Sequence, residues 1–64
     1  MTLYEWRKKM GWSKVHLAKT LSKKLGYEVG PQNIYNWERG TMPAHDIGLA
    51  IDKLANNAIV WDRS

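Results

Sequence analysis

The residues best suited to chemistry lie in one short stretch, GPQNIYNWERG, at residues 30–40. Its amides are Gln32, Asn33 and Asn36, and Tyr35 stands among them. An amide can donate and accept hydrogen bonds, as the N6 and N7 atoms of adenine require in the major groove of DNA. The stretch therefore contains four candidate base-contact residues. A polar outer face is also typical of any amphipathic surface helix, so this stretch alone leaves both interpretations open.

A short helix is the element that must position these side chains. Gly30 can act as an N-cap, Pro31 is preset for the first helical position, and Gly40 suits the left-handed residue that ends a helix. At about 100° per residue, Ile34 and Trp37 fall on the side opposite the amides. The spacing predicts a helix of about two and a half turns, with its apolar side inward and its amides at the surface.

The chain has 64 residues and no cysteine. A chain of this size buries only about 60% of its unfolded surface, so we expect one domain with a small core. The lack of cysteine excludes a disulfide scaffold and a thiolate metal site and is consistent with a reducing cytosol. No apolar run approaches the roughly 20 residues of a membrane span, and the N-terminus lacks the apolar core of a signal peptide. These features predict a soluble, cytoplasmic protein.

The formal charge of +4 is unevenly distributed. Residues 1–45 hold eight Lys and Arg against three Asp and Glu, whereas residues 46–64 hold two against three. Such asymmetry favours a side that faces a polyanion, with an anionic membrane surface as the weaker alternative.

The first helix is predicted from about residue 3 to Met10. Thr2 and Glu5 fit a capping box, and Gly11 can end the helix. Its apolar stripe comprises Leu3, Trp6 and Met10. Arg7 lies beside that stripe at the edge of the core, where we expect it to form an ion pair with a carboxylate.

A second helix is predicted from the cap residue Ser13 to about Leu25, with Gly26 as the stop. Its apolar positions are Val15, Leu17, Ala18, Leu21 and Leu25. The small side chain of Ala18 would let another helix cross closely, as a helix-turn-helix pair requires. We expect Lys14 to contact phosphate and the other lysines of this helix to be solvated.

The connection at residues 26–30 is longer than a tight turn, and Tyr27 and Val29 are expected to tuck under the helices. Pro43 is expected to open a fourth helix at residues 44–55. Its apolar positions are Ile47, Ala50, Ile51 and Leu54, and Asn56 and Asn57 end it. The predicted fold class is thus a small all-α, four-helix domain at residues 1–57.

Residues 58–64 are predicted to form a short extended tail. Its segment AIVW, residues 58–61, is β-prone but too short to stand alone. It therefore either packs back on the domain or pairs with another copy. We favour a dimer contact through Ile59 or Trp61.

Catalytic chemistry finds little support in the sequence. There is no nucleotide-binding glycine loop and no set of acid, base and nucleophile. His16 and His45 lie on different helices, and a metal site normally needs more ligands, so we assign them surface or helix-end roles. Asp46 lies near the start of the fourth helix, where its negative charge interacts favourably with the helix dipole. We expect no enzymatic activity, cofactor, metal or small-molecule ligand.

The order of helix, helix-turn-helix and helix resembles the phage repressor and Cro-type helix-turn-helix family over about residues 2–55. The matching motifs are Ile34-x-x-Trp37-Glu38-Arg39-Gly40, Leu17-Ala18 and Leu3-x-x-Trp6-Arg7. The segment from Ala18 to Ile34 is about six residues longer than the family's usual spacing. We therefore expect an extended second helix or turn, which leaves room for a different orientation of the recognition helix. The C-terminal part is similar to small Cro-like and YdaS-type regulators, which favours a phage or prophage origin.

The resemblance implies roles for individual residues. The base-contact set comprises Gln32, Asn33, Tyr35 and Asn36, and the phosphate-contact set comprises Lys14, Ser13 and Arg39. The resemblance also implies that Arg7 pairs with Glu38.

Together these features predict a dimeric, sequence-specific regulator that binds double-stranded DNA and represses by occupying an operator. A homodimer would place two recognition helices about 34 Å apart, so the operator should be a short near-palindrome. The chief alternative is an antitoxin-like or adaptor module that uses the same fold to hold another protein. RNA binding is a remoter alternative.

Overall fold

The structure is a computed structural model that describes residues 1–61. Four α-helices occur in these residues: α1 Leu3–Met10, α2 Lys14–Leu25, α3 Pro31–Glu38 and α4 His45–Leu54. No β-strand is present in residues 1–61, and the predicted all-α fold class is confirmed. No helix of this part of the chain is long and apolar enough to cross a membrane.

The capping signals of α1 act as predicted. The Thr2 hydroxyl oxygen accepts a hydrogen bond from the Glu5 backbone N–H at 3.1 Å, and the Thr2 N–H donates to Glu5 Oε1 at 2.9 Å. The bond from the Thr2 backbone is the main reason why the pKa of the Glu5 carboxyl is lowered. After the helix, Gly11 has a φ of +74°, a conformation that glycine adopts without steric cost.

The α2 helix begins at a second side-chain cap, where Ser13 Oγ accepts from the His16 N–H at 3.0 Å. Near its other end, the Ser22 hydroxyl donates to the Ala18 carbonyl at 2.8 Å and accepts from the Val29 N–H at 2.7 Å. This hydroxyl therefore ties the connection before α3 back onto α2.

The α4 helix begins at His45, one residue later than predicted, and has no side-chain cap at Ala44. It ends at Leu54, one residue earlier than predicted. Asn56 and Asn57 follow with φ values of +52° and +61°. Asparagine tolerates this left-handed region better than most residues, which explains why the pair ends the helix.

The core lies around α2, which packs against α3 and α4, while α1 packs against α3. The fully buried side chains are Leu17, Leu21, Ile34 and Ile51. Ala18 is buried on the same side of α2 and adds little bulk there. The packing thus places α3 directly on α2, as a helix-turn-helix pair requires.

Three apolar residues that were expected to face inward are exposed instead: Met10, Val15 and Tyr27. Met10 and Val15 lie at helix ends beside the connection between α1 and α2, at the margin of this small core. Tyr27 lies at the surface, where its hydroxyl donates to Asp46 Oδ2 at 2.7 Å. Val29 is buried, as predicted for the same connection.

The end of the described chain packs back on the domain. Ile59 is only 6% exposed and belongs to the core. The Met1 amino group donates to the Ala58 carbonyl at 3.0 Å, and the Val60 N–H donates to the Met1 carbonyl at 2.8 Å. The N-terminus and residues 58–60 therefore meet on one side of the molecule. Residues 62–64 of the predicted tail lie outside the described residues.

Candidate nucleic-acid interface

The α3 helix turns one face into the core and the other outward. Ile34 and Trp37 are buried, which fixes the rotation of the helix about its own axis. Gly30 precedes the helix in an extended conformation, and Pro31 occupies its first position. The outward side chains are Gln32, Asn33, Tyr35 and Asn36, of which Asn36 is partly buried. The structure therefore brings all four predicted base-contact residues onto one surface.

Two of these amides contact each other. Gln32 Nε2 donates to Asn36 Oδ1 at 3.4 Å, at the spacing of one helical turn. The side-chain oxygen of Gln32, Oε1, and the side-chain nitrogen of Asn36, Nδ2, do not take part in that bond. The pair can therefore offer an acceptor and donors side by side, which is the complement of the donor and acceptor on an adenine edge.

Arg39 is attached to the same surface through Tyr35. Its Nη1 donates to the Tyr35 hydroxyl oxygen at 2.6 Å, and its guanidinium carbon lies 5.4 Å from the centre of the Tyr35 ring. Both side chains are exposed. The guanidinium is thus restrained but keeps donors for an anion. The Tyr35 O–H group remains able to donate because it accepts the bond from Arg39.

A buried ion pair holds α1 against the end of α3. Arg7 is 5% exposed, and its Nε donates to Glu38 Oε2 at 2.6 Å. Its Nη2 donates to Glu38 Oε1 at 3.4 Å, and its Nη1 donates to the Trp12 carbonyl at 2.8 Å. No buried side-chain nitrogen or oxygen in residues 1–61 lacks a partner. The structure thus brings Arg7 and Glu38 together, with Trp12 as a third partner that the motif did not indicate.

The start of α2 offers a second, basic part of the candidate interface. Lys14 is the first residue of the helix, and it is half-buried. An open depression here is lined by Arg7, Lys8, Gly11, Trp12, Ser13, Lys14 and Val15. Ser13 Oγ accepts the cap bond from His16, which leaves the Ser13 hydroxyl hydrogen for another acceptor. Cationic side chains beside the first N–H groups of a helix form a surface that suits phosphate.

The predicted dimer residues are not free on the surface. Ile59 is packed in the core of its own chain, so its side chain is not available to a second copy in this conformation. Trp61 is half-buried, and its Nε1 donates to Asp52 Oδ1 at 2.9 Å. Within residues 59–61 the exposed side chain is that of Val60, to which the sequence assigned no role.

The contact between Tyr27 and Asp46 was also missed, although it connects the loop before α3 to the start of α4. The hydrogen bond lowers the pKa of the Asp46 carboxyl and raises the pKa of the Tyr27 hydroxyl. Because the two residues are 19 positions apart, no local pattern could have paired them.

The two histidines lie on different helices, and both are exposed. His16 is exposed on α2 with its ring 4.7 Å from the Trp12 ring, and His45 is exposed at the start of α4. Residues 1–61 contain no group of three or more His, Cys, Asp or Glu that could hold a metal ion.

An α2–α3 pair with a buried inner face and an exposed polar outer face defines the class of helix-turn-helix domains. A family model described as helix-turn-helix matches residues 3–55, and the chain belongs to that family of repressor- and Cro-type DNA-binding regulators. The match covers all four helices, and it confirms the resemblance drawn from the sequence. A search among curated proteins and a search among solved structures each gave no match.

Proposed function

We propose that this regulator reads a specific sequence in double-stranded DNA and acts as a homodimer on a near-palindromic operator. Occupancy of the operator would block transcription, so the protein would act as a Cro-like repressor. In this proposal residues 1–57 bind DNA, and the tail from residue 58 contributes to the contact between two copies.

The observation that carries the proposal is the outer face of α3. Ile34 and Trp37 anchor the helix, so Gln32 and Asn36 point outward together as a bonded pair. Amide pairs of this kind suit base edges. Arg39 directly after the helix and Lys14 at the start of α2 supply cations near this face, which suits a duplex whose phosphates flank the groove.

Selection of bound duplexes from a random pool tests this function. The proposal predicts enrichment of one short motif repeated with two-fold symmetry, with half-site centres about 10 base pairs apart or a multiple of that spacing. A protein-interaction module would retain heparin binding through its basic side but enrich no motif. Competition with duplex RNA separates the remaining alternative, because an RNA-binding protein would lose its labelled DNA to the RNA competitor.

A further inference from the structure

The exposed apolar side chain of Val15 lies in the basic depression at the start of α2. Val15 is 49% exposed, although its sequence pattern predicted that it would face the core. A single exposed valine is ordinary on a protein surface. Val15 differs because its depression is also lined by Lys8, Ser13 and Lys14, whereas Met10, which is 48% exposed, does not line it. An apolar group is thus placed among groups that suit phosphate.

The rotation of α2 imposes the outward position of Val15. Leu17 and Leu21 are fully buried and fix which face of the helix turns to the core. Val15 precedes Leu17 by two residues, which is about 200° around the helix axis. The valine cannot turn inward without removing Leu17 from the core. Its methyl groups therefore meet whatever covers the start of α2.

The backbone before Val15 is already held in place. Arg7 Nη1 donates to the Trp12 carbonyl at 2.8 Å, and the Trp12 ring packs edge-to-face on the Trp6 ring with centroids 5.4 Å apart. Ser13 then caps α2 through its side chain. A ligand that covers Val15 would bury apolar surface without having to order the chain, which lowers the entropic cost of binding.

Charge indicates the kind of ligand that this depression fits. Lys8 is exposed and Lys14 is half-buried, so their ammonium groups can reach outward beyond their aliphatic stems. Among the residues that the structure describes, no Asp or Glu lines the depression. The first N–H groups of α2 add positive partial charge. The depression therefore suits an anionic ligand that carries apolar carbon beside its charge.

The backbone of duplex DNA has this chemistry, because each phosphate is flanked by the C–H groups of deoxyribose. An anionic lipid surface also combines phosphate with apolar carbon. The chain belongs to a family of DNA-binding regulators, which favours the duplex. Since Lys14 and Val15 are consecutive, a phosphate and its neighbouring sugar can contact both side chains.

We propose that Val15 packs against a deoxyribose of bound DNA, next to the phosphate that Lys14 contacts. Val15 thereby adds a contact that does not depend on salt to the salt-dependent contact of Lys14. The proposal rests on the proposed function only in taking duplex DNA as the ligand. It requires neither base reading by α3 nor a second copy of the chain.

Binding of a labelled duplex of mixed sequence over a series of salt concentrations tests this contact. Val15→Ala should weaken binding by about fivefold at every salt concentration, because two methyl groups leave a contact that releases no counterion. The slope of log affinity against log salt should stay at its wild-type value. Met10→Ala is the matched control and should bind as the wild type does, since Met10 is similarly exposed outside the depression. Alanine favours helices, so both variants should keep wild-type helix content by circular dichroism.

A duplex with uracil in place of thymine shows which part of the DNA is contacted. Val15→Ala should lose the same factor in affinity on this duplex, because its deoxyribose is unchanged. A loss that appears only on the thymine duplex would assign Val15 to the thymine methyl group and overturn the proposal.

Three further results would overturn it: equal affinities of the wild type and Val15→Ala, an equal loss in Met10→Ala, or a reduced salt slope in Val15→Ala. Vesicles that contain phosphatidylglycerol test the other anionic ligand. If Val15→Ala weakens binding to these vesicles and leaves duplex affinity unchanged, the depression binds lipid and the proposal is wrong. A protein that shows the expected Val15 effect but selects no sequence would refute the proposed function and leave this contact standing.

Discussion

Arg7 shows how one side chain can connect three elements. It lies on α1, bonds the carboxylate of Glu38 at the end of α3, and donates to the carbonyl of Trp12 before α2. The side chains of Arg7 and Glu38 are 6% and 7% exposed, so water cannot replace a lost partner easily. Arg7 therefore positions α3 without belonging to its proposed reading face.

We predict that Arg7→Ala destabilises the fold by about 3–5 kcal/mol, because it strands the buried carboxylate of Glu38. Lys8→Ala is the control, since Lys8 is the exposed neighbour, and its effect should stay within about 0.5 kcal/mol. Urea unfolding followed by circular dichroism measures both. Equal losses in the two variants would contradict a structural role for the pair.

Tyr35 is predicted to contact bases, and its bond to Arg39 offers it a second role. If Tyr35 mainly orients the Arg39 guanidinium, Tyr35→Phe should weaken DNA binding by about 0.5–1.5 kcal/mol, the usual value of one neutral hydrogen bond. The loss should disappear when Arg39 is already alanine. A double-mutant cycle on a selected duplex measures this coupling. A loss that persists without Arg39, together with a changed base preference, would instead make Tyr35 a reader.

At the scale of elements, the connection between α2 and α3 decides where α3, the proposed reading helix, lies. Ser22 is the residue that fixes it, because its hydroxyl bonds both the Ala18 carbonyl and the Val29 N–H. Thr20 provides a comparison on the same helix, since its hydroxyl donates only backward along the helix, to the His16 carbonyl at 2.9 Å.

We predict that Ser22→Ala lowers the free energy of unfolding by about 1–3 kcal/mol, because the Val29 N–H loses its acceptor in a partly buried place. Thr20→Ala should cost clearly less. Amide hydrogen exchange gives a local measurement, and the Val29 amide should exchange faster in Ser22→Ala than in Thr20→Ala. Identical exchange in the two variants would show that Ser22 does not hold the connection.

The contact of Tyr27 with Asp46 gives this connection a dependence on pH. Folded Asp46 has a lowered pKa, so it binds a proton less readily than unfolded Asp46. Its contribution to stability is therefore present at neutral pH and is lost as the pH falls through the folded pKa. Tyr27 has a raised pKa, so its contribution is lost as the pH rises through the folded value.

Tyr27→Phe should remove the Tyr27 contribution and the largest part of the Asp46 contribution, and the pH dependence of the urea midpoint should become flatter in acid and in alkali. Tyr4→Phe, at another exposed tyrosine, is the control and should keep the wild-type profile. An unchanged profile in Tyr27→Phe would show that the hydroxyl contact contributes nothing in solution.

The sequence predicted these elements well where the signals are local. Thr2, Ser13 and Gly11 act on their own helices, so their types and spacing were enough to place helix ends to within a residue. Contacts between distant residues were beyond that reasoning, since Ser22 and Val29 meet only after the loop folds. Ile59 shows the same limit. An apolar residue in a tail gives the same sequence pattern whether it packs on the core of its own chain or on a second copy.

At the scale of the whole molecule, the uneven charge should govern affinity for any DNA. If Lys14 contacts a phosphate, Lys14→Ala should weaken binding to all duplexes alike and reduce the slope of log affinity against log salt by about one unit. Lys19→Ala is the control, because Lys19 is exposed on the same helix and is predicted to be solvated. Equal slopes for both variants would remove Lys14 from the interface.

We propose that the outer face of α3 reads base sequence, and the base preference of Gln32→Ala and Asn36→Ala tests this. Binding of each variant should be measured on a selected duplex and on its single-base changes. We predict a loss of about 1–3 kcal/mol and a relaxed preference at one base position, with the salt slope nearly unchanged because amides are neutral. Wild-type affinity and wild-type preference in both variants would show that this face of α3 does not read the bases.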